Sequence, residues 1–161
     1  MSAAQKKEIA VTYQCERFDD VIDEVTPHLL RHWDELARNK DEIPLEPDYD
    51  AYSALDKAGR LLICTCRDGG KIAGYACYFI LPRHPHYNAP WAIADIFWLA
   101  PEYRRLHIGT GIFQSLEQAL RARGVLVMHT TFKVEHPAAG YLLQSMGHVL
   151  IEHGYAKFLG N

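Results

Sequence analysis

The order of local signals predicts a mixed α/β fold: a central sheet of about seven strands flanked by helices, in a single domain over residues 1–161. Three observations carry this. Asp68-Gly69-Gly70 lies between two β-rich runs, which is tight-hairpin chemistry. Trp91 to Thr131 reads strand, helix, strand, the unit that crosses over to a parallel neighbour. Two more β-prone runs follow the last helical stretch, around His153-Gly154. Antiparallel and parallel pairing in one chain make a mixed sheet.

Taken in order, Glu8–Cys15 is the first strand. Phe18, Val21, Ile22 and Val25 then recur at helical spacing, and Leu29, Leu30, Trp33, Leu36 and Ala37 continue it. Thr26-Pro27 reads as an N-cap with proline in the first turn, which divides the run into two short helices. Asn39–Pro47 is a loop, after which Asp48 caps a short helix carrying Tyr52 and Leu55 and closed by Gly59. Leu61–Cys66 and Lys71–Leu81 are the hairpin strands, and Pro82–Pro90 is a loop. Trp91–Leu99 is a buried strand ended by Pro101. Gly109–Arg123 is an amphipathic helix with Ile112, Phe113, Leu116, Ala119 and Leu120 on one face, closed by Gly124. Val125–Thr131 is a strand, Pro137–Met146 a helix, and Gly147–Glu152 and Tyr155–Leu159 a last pair of strands.

Composition narrows the function classes. The 161 residues are 48% hydrophobic and 23% charged, ordinary values for a globular domain. A formal charge of −3 argues against a protein that coats nucleic acid. The stretch Met1 to Glu8 is polar with no apolar run behind it, so no leader is expected, and no window reaches the roughly 18 apolar residues of a membrane span. A cytoplasmic location is therefore expected. Cys15, Cys64, Cys66 and Cys77 sit in strand-like stretches and lack zinc-site spacing, so they are expected to be reduced core residues and no metal is expected.

The most informative stretch runs from Asp95 to Gly111. A buried strand leads into a basic, glycine-containing turn and then a helix start. That arrangement aims backbone N–H groups and the positive end of a helix at one spot. Arg104 and Arg105 add mobile positive charge, so one reading is a pyrophosphate site. The plainer reading is an ordinary strand–helix turn. A dinucleotide fingerprint is disfavoured because Gln114 stands where its third glycine belongs, and no phosphate-loop Gly-Lys-Ser/Thr is present.

Leu99-Ala100-Pro101-Glu102-Tyr103-Arg104 followed by Gly109 resembles the signature of the GNAT acetyltransferases, (Arg/Gln)-x-x-Gly-x-(Gly/Ala) after hydrophobic-x-Pro-x-x-Arg. Arg104 takes the first motif position and Gly109 the last, while His107 stands where the middle glycine is usual, a backbone position where histidine is strained. Gly74-Tyr75-Ala76 and the helix Pro137–Met146 with Gly147-His148 resemble further segments of that family. Pro44-Leu45, Pro47-Asp48-Tyr49-Asp50 and His86-Tyr87 resemble its small phage and prophage members. The resemblance implies an acetyl-CoA-dependent N-acetyltransferase with the acyl-CoA N-acyltransferase fold. Backbone groups near Trp98 and Leu99 would pair with the pantetheine arm. Amides from Leu106 through His107, Ile108, Gly109 and Thr110 to Gly111 would hold the pyrophosphate. The family's final strands often mediate dimers, so a homodimer is compatible with the resemblance.

Acetyl transfer to an amine needs a base, a stabilised oxyanion and a leaving thiolate. Asp95 is the candidate base, because it is an isolated carboxylate in an apolar strand and burial raises its pKa. The competing reading is a structural carboxylate bonded to nearby backbone. The family's usual acid, a helix tyrosine, falls by register on Leu143, and Tyr141 lies about 200° away around the helix. Tyr155 in the last strand is the alternative acid. His86 and Tyr87, beside His84, could steer an amine, and Tyr49, Tyr52, Trp33 and acidic Glu46 could line the acceptor side. His28 and His32 are four apart on a helix but lack the glutamate of a zinc-protease motif. The acceptor would be a small-molecule or peptide amine. The competing function is a non-catalytic acyl-CoA-binding sensor or partner module. A modifier of nucleic-acid bases is a third reading, opposed by the net charge.

Overall fold

The computed structural model describes residues 10–83, 88–104 and 107–160. The elements are β1 (Val11–Glu16), α1 (Phe18–Leu36), α2 (Tyr49–Lys57), β2 (Leu61–Asp68), β3 (Lys71–Leu81), β4 (Trp91–Leu99), a 3₁₀ turn (Pro101–Tyr103), α3 (Ile108–Ala122), β5 (Val127–His129) and α4 (Pro137–Ser145). Among the described residues they build one sheet in the order β1-β2-β3-β4-β5. The first four strands pair antiparallel, and β5 joins β4 in parallel through α3. In the hairpin, Asp68 pairs with Lys71, and Gly69 (φ 56°) and Gly70 (φ 83°) are both left-handed, the signature of a type I′ turn.

The sheet is covered on both faces, which is why β2 reads as a continuous apolar run rather than an alternating one. One core packs Leu62, Tyr78 and Leu99 against Ile112, Phe113 and Leu116 of α3 and Leu143 of α4. The other packs Leu61, Tyr75 and Trp98 against Phe18, Val21 and Val25 of α1. Buried Arg67 joins the first elements: it donates to Glu16 of β1, to Glu24 of α1 and to the Gly70 carbonyl. Asp56 of α2 accepts from the Arg17 side chain (2.7 Å) and from the Phe18 amide (3.1 Å), so α2 is tied to the start of α1.

Three expectations need correction. First, the N-terminal third holds one long helix, not two short ones: α1 runs through Pro27. Proline removes its own N–H and crowds the carbonyl four residues back, but both Pro27 and Asp23, whose carbonyl loses that donor, are exposed, so water can take the donor's place. Thr26 folds its hydroxyl back onto the Ile22 carbonyl (2.8 Å) instead of capping a new helix. Second, the sheet has five strands among the described residues rather than about seven. Residues 147–160 make no regular structure, and Val149, Leu150, Ile151 and Leu159 are exposed. A β-prone run becomes a strand only against a partner with matching donors and acceptors, and this run acquires none. The last pair of strands, through which the resemblance allowed a homodimer, is not formed among the described residues. Third, Cys15 and Cys64 are exact register partners across β1 and β2 and are joined as a disulfide, while Cys66 and Cys77 are free and buried. Strand pairing sets those two side chains opposite each other, which spacing alone does not reveal. Among the described residues no helix is long and apolar enough to cross a membrane.

Candidate active site

The site begins where the sheet divides. β5 pairs only with Trp91, Ala92 and Ile93, so from Ala94 onward the edge of β4 facing away from β3 has no strand partner among the described residues. The gap opens into a cleft of about 940 Å³. One bank is α1, the 44–47 loop and α2; the other is the end of β4, the 131–136 loop and α4.

Asp95 sits at this division because of a bulge. Cys77 pairs with Ile96 and Tyr78 with Ala94, so Asp95 is an extra residue with no opposite number on β3. Bulges re-aim side chains. Here Ala92 and Ala94 pack towards α3, as do Phe97 and Leu99, while Ile96 and Trp98 pack towards α1. The phase of alternation slips by one at Asp95, and its carboxylate turns into the cleft on the α1–α2 side. Tyr52 of α2 donates to Asp95 Oδ2 at 2.7 Å. Burial holds the Asp95 carboxyl above the usual range, with the Tyr52 bond pulling the other way.

Beyond β4, the Tyr103 hydroxyl donates to Asp68 (2.8 Å) and ties the 3₁₀ turn to the hairpin. Arg104 is anchored rather than mobile. Its Nε donates to the Leu99 carbonyl (2.8 Å), and its two terminal nitrogens grip Glu35 of α1 at 2.6 and 2.7 Å. That pairing holds Glu35 below the usual carboxylate range. His107 is left-handed, φ 56° and ψ 14°, in the position the motif reserves for glycine. The N-terminus of α3 that follows has no side-chain cap and no acidic residue in its first turn. Its positive end and first amides therefore keep their capacity for an anion.

The glycines of this turn do different things. Gly109 is buried, and a Cβ there would come within 2.9 Å of Leu142 of α4. A Cβ on Gly111 would overlap the Tyr13 ring of β1, so Gly111 serves the packing of α3 on the sheet. Trp98 is likewise core by side chain: only 3% exposed, it packs against His28, His32 and Tyr75, with the Arg31 guanidinium 5.6 Å from its ring centre. His32 shares a 3.1 Å hydrogen bond with the Tyr75 hydroxyl, and burial pulls its pKa down to about 4.

Of the residues singled out in the sequence, Asp95, Trp98, Leu99, Arg104, His107, Gly109, Glu46 and Tyr49 are brought together around the cleft. Ile108 is core, and Thr110 and Gly111 lie behind the rim. Tyr155 is not brought to the site, being 97% exposed on the C-terminal run. Leu143 is buried, and Tyr141 is exposed away from the cleft. Arg105, Leu106, His84, His86 and Tyr87 lie outside the described residues. Glu35 was not foreseen; its signal was its place seven residues after His28 on the same face of α1. Among the described residues no group of three or more His, Cys, Asp or Glu side chains could hold a metal.

With this geometry in place, comparison with known proteins is informative. The family model for the acetyltransferase (GNAT) family matches residues 26–148. No curated protein matches the chain. An aminoglycoside acetyltransferase from an uncultured soil metagenomic sample, solved with sisomicin, is similar with a TM-score of 0.70 and 14% identity, over 92% of this chain and 96% of that one. A ribosomal-protein-alanine N-acetyltransferase from Brucella melitensis biovar Abortus 2308 gives a TM-score of 0.69 and 15% identity over 94% and 100%. A predicted acetyltransferase from Clostridium acetobutylicum, solved with acetyl-CoA, gives 0.68 and 12% over 93% and 97%. At these identities the likeness is one of fold.

Proposed function

Because the chain belongs to the acetyltransferase (GNAT) family, we propose that its acyl transfer moves an acetyl group from acetyl-CoA to a primary amine by direct attack, with Asp95 as base. The observation that carries this is the bulge. It turns a half-buried carboxylate into the cleft at the point where the β4 edge loses its strand partner.

Cofactor binding and deprotonation of the amine each have candidate groups. The free edge of β4 at Trp98 and Leu99 offers backbone donors and acceptors to an amide-bearing arm, as an added strand would use them. The uncapped start of α3 offers the amides of His107, Ile108 and Gly109 and its positive dipole to the pyrophosphate, with Thr110, whose amide donates to the His107 carbonyl (3.0 Å), closing the same turn. Arg104, pinned by Glu35, holds the turn in shape, and Arg105 and Leu106 belong to the same proposed loop. Glu46 and Tyr49 face the acceptor side of the cleft. Asp95 accepts the proton of the substrate ammonium, and the freed amine attacks the thioester carbonyl carbon. The C–N bond forms in a tetrahedral adduct, whose collapse breaks the C–S bond; the electron pair leaves with sulfur, and the surplus proton on nitrogen passes to the departing thiolate, giving the amide and the CoA thiol. No enzyme residue is acylated.

Calorimetric titration with acetyl-CoA and with CoA tests the cofactor half. Thr110→Glu places a carboxylate in the first turn of α3, where it suits the helix dipole but repels phosphate. It should weaken binding at least about tenfold without loss of stability. Asp95→Asn should bind acetyl-CoA normally and lose about 10² or more in turnover. The second reading, a non-catalytic acyl-CoA-binding module, is favoured by the buried Leu143 at the usual acid position. Saturable binding with no thiol release from any amine would establish it instead.

A further inference from the structure

The acceptor end of the cleft has a chemical character that narrows the amine, given the reading above. Asp95 lies against an aromatic cluster: Tyr52 bonds to it, Phe18 stacks on Tyr52 with ring centres 5.5 Å apart, and Phe79 and Tyr49 complete the group at 5.8 and 6.1 Å. The α1 wall opposite contributes Ile22, Val25 and Leu29. Charge is scarce here. The carboxylates lining the cleft among the described residues are Glu35, Glu46 and Asp95, and Glu35 is already neutralised by Arg104.

We propose that the acceptor is a primary amine with a single positive charge and an apolar, preferably aromatic, substituent. One ammonium meets one half-buried carboxylate, held in place by the Tyr52 hydroxyl. The substituent lies along the aliphatic wall, where its burial supplies binding energy. A polycationic acceptor fits poorly, since among the lining carboxylates only Glu46 is left for a second ammonium, and any further one would lose its hydration beside Ile22, Val25 or Leu29. The likeness of fold to an aminoglycoside enzyme therefore does not extend to its ligand.

The test compares three acceptors on the full chain: 2-phenylethylamine, ethanolamine and an aminoglycoside. Thiol release is followed at saturating acetyl-CoA, and in parallel each amine is titrated by calorimetry into CoA-saturated protein. We expect kcat/KM for 2-phenylethylamine to exceed both others at least about 100-fold. Leu29→Gln should raise its KM about tenfold with the KM for acetyl-CoA unchanged, and Leu29→Ala, with a melting curve, separates lost contact from lost fold. Thiol release with the aminoglycoside or ethanolamine equal to or above 2-phenylethylamine would overturn the acceptor assignment and leave acetyl transfer standing. Saturable 2-phenylethylamine binding without any thiol release would overturn acetyl transfer and leave only the cleft's preference for an apolar monoamine standing. Absence of binding by 2-phenylethylamine would overturn the acceptor assignment.

Discussion

The Tyr52 hydroxyl lies 2.7 Å from Asp95 Oδ2 and donates to it, so a helix from the N-terminal third holds the carboxylate that a bulge frees from the fourth strand. The bond stabilises the ionised carboxylate, while burial opposes it more strongly.

The sign of the pH dependence follows. A base works deprotonated, so activity rises with pH through a carboxyl pKa held above the usual 3.8. Tyr52→Phe removes the one contribution that lowers it. Losing a hydrogen bond to the ionised form favours the neutral acid, so with Asp95 as the proposed base the acidic limb of kcat/KM should move to higher pH. The pH–rate profile measures this directly. An unmoved limb would show that Asp95 is not the group being titrated.

His32 makes the fold acid-sensitive. Its pKa lies near 4 when folded, against 6.5 for an exposed imidazole, so between those values the unfolded chain binds the extra proton. The stabilisation is complete above about pH 6.5 and is lost as the pH falls towards 4, a difference of about 3 kcal/mol. Urea melts across this range should show it. His32→Gln, which keeps a hydrogen-bonding group but cannot gain charge, should flatten the profile.

His107 holds a backbone conformation that costs an ordinary residue about 1–2 kcal/mol. His107→Gly should be stable to within about 1 kcal/mol of the parent, relief of strain being offset by the freer unfolded chain. His107→Val should lose about 2 kcal/mol or more, because β-branched residues tolerate this region worst. Equal melting temperatures for the two variants would mean the turn is not left-handed in solution.

Gly111 and Tyr13 form a second pair that a double mutant can read. Gly111→Ala should cost about 1–3 kcal/mol through overlap with the tyrosine ring. In a Tyr13→Leu background the same change should cost clearly less. Additive effects would contradict the packing.

Much of the site was legible locally. The hairpin turn, the Asp48 cap and the limits of β4 follow from glycine, aspartate and proline chemistry that acts within a few residues. Asp95 stood out because a lone carboxylate in an apolar strand needs a reason, and His107 because it occupies a glycine's place. The bulge was not legible, since Trp91–Leu99 reads as an uninterrupted strand and only the registers on β3 reveal the extra residue.

What the sequence determined by itself is therefore the set of elements governed by near neighbours: α2, α3 and α4, the hairpin, and the strand–turn–helix that presents the start of α3, but not the continuity of α1 through Pro27. What only the tertiary structure decided is pairing. Tyr52 with Asp95, Arg104 with Glu35, Cys15 with Cys64, and the lack of a strand partner for residues 147–160 all depend on groups far apart in the chain. Local conformational preference is set by sterics within a turn of chain, whereas hydrogen bonds and ion pairs across elements exist only once packing has brought both partners out of water together.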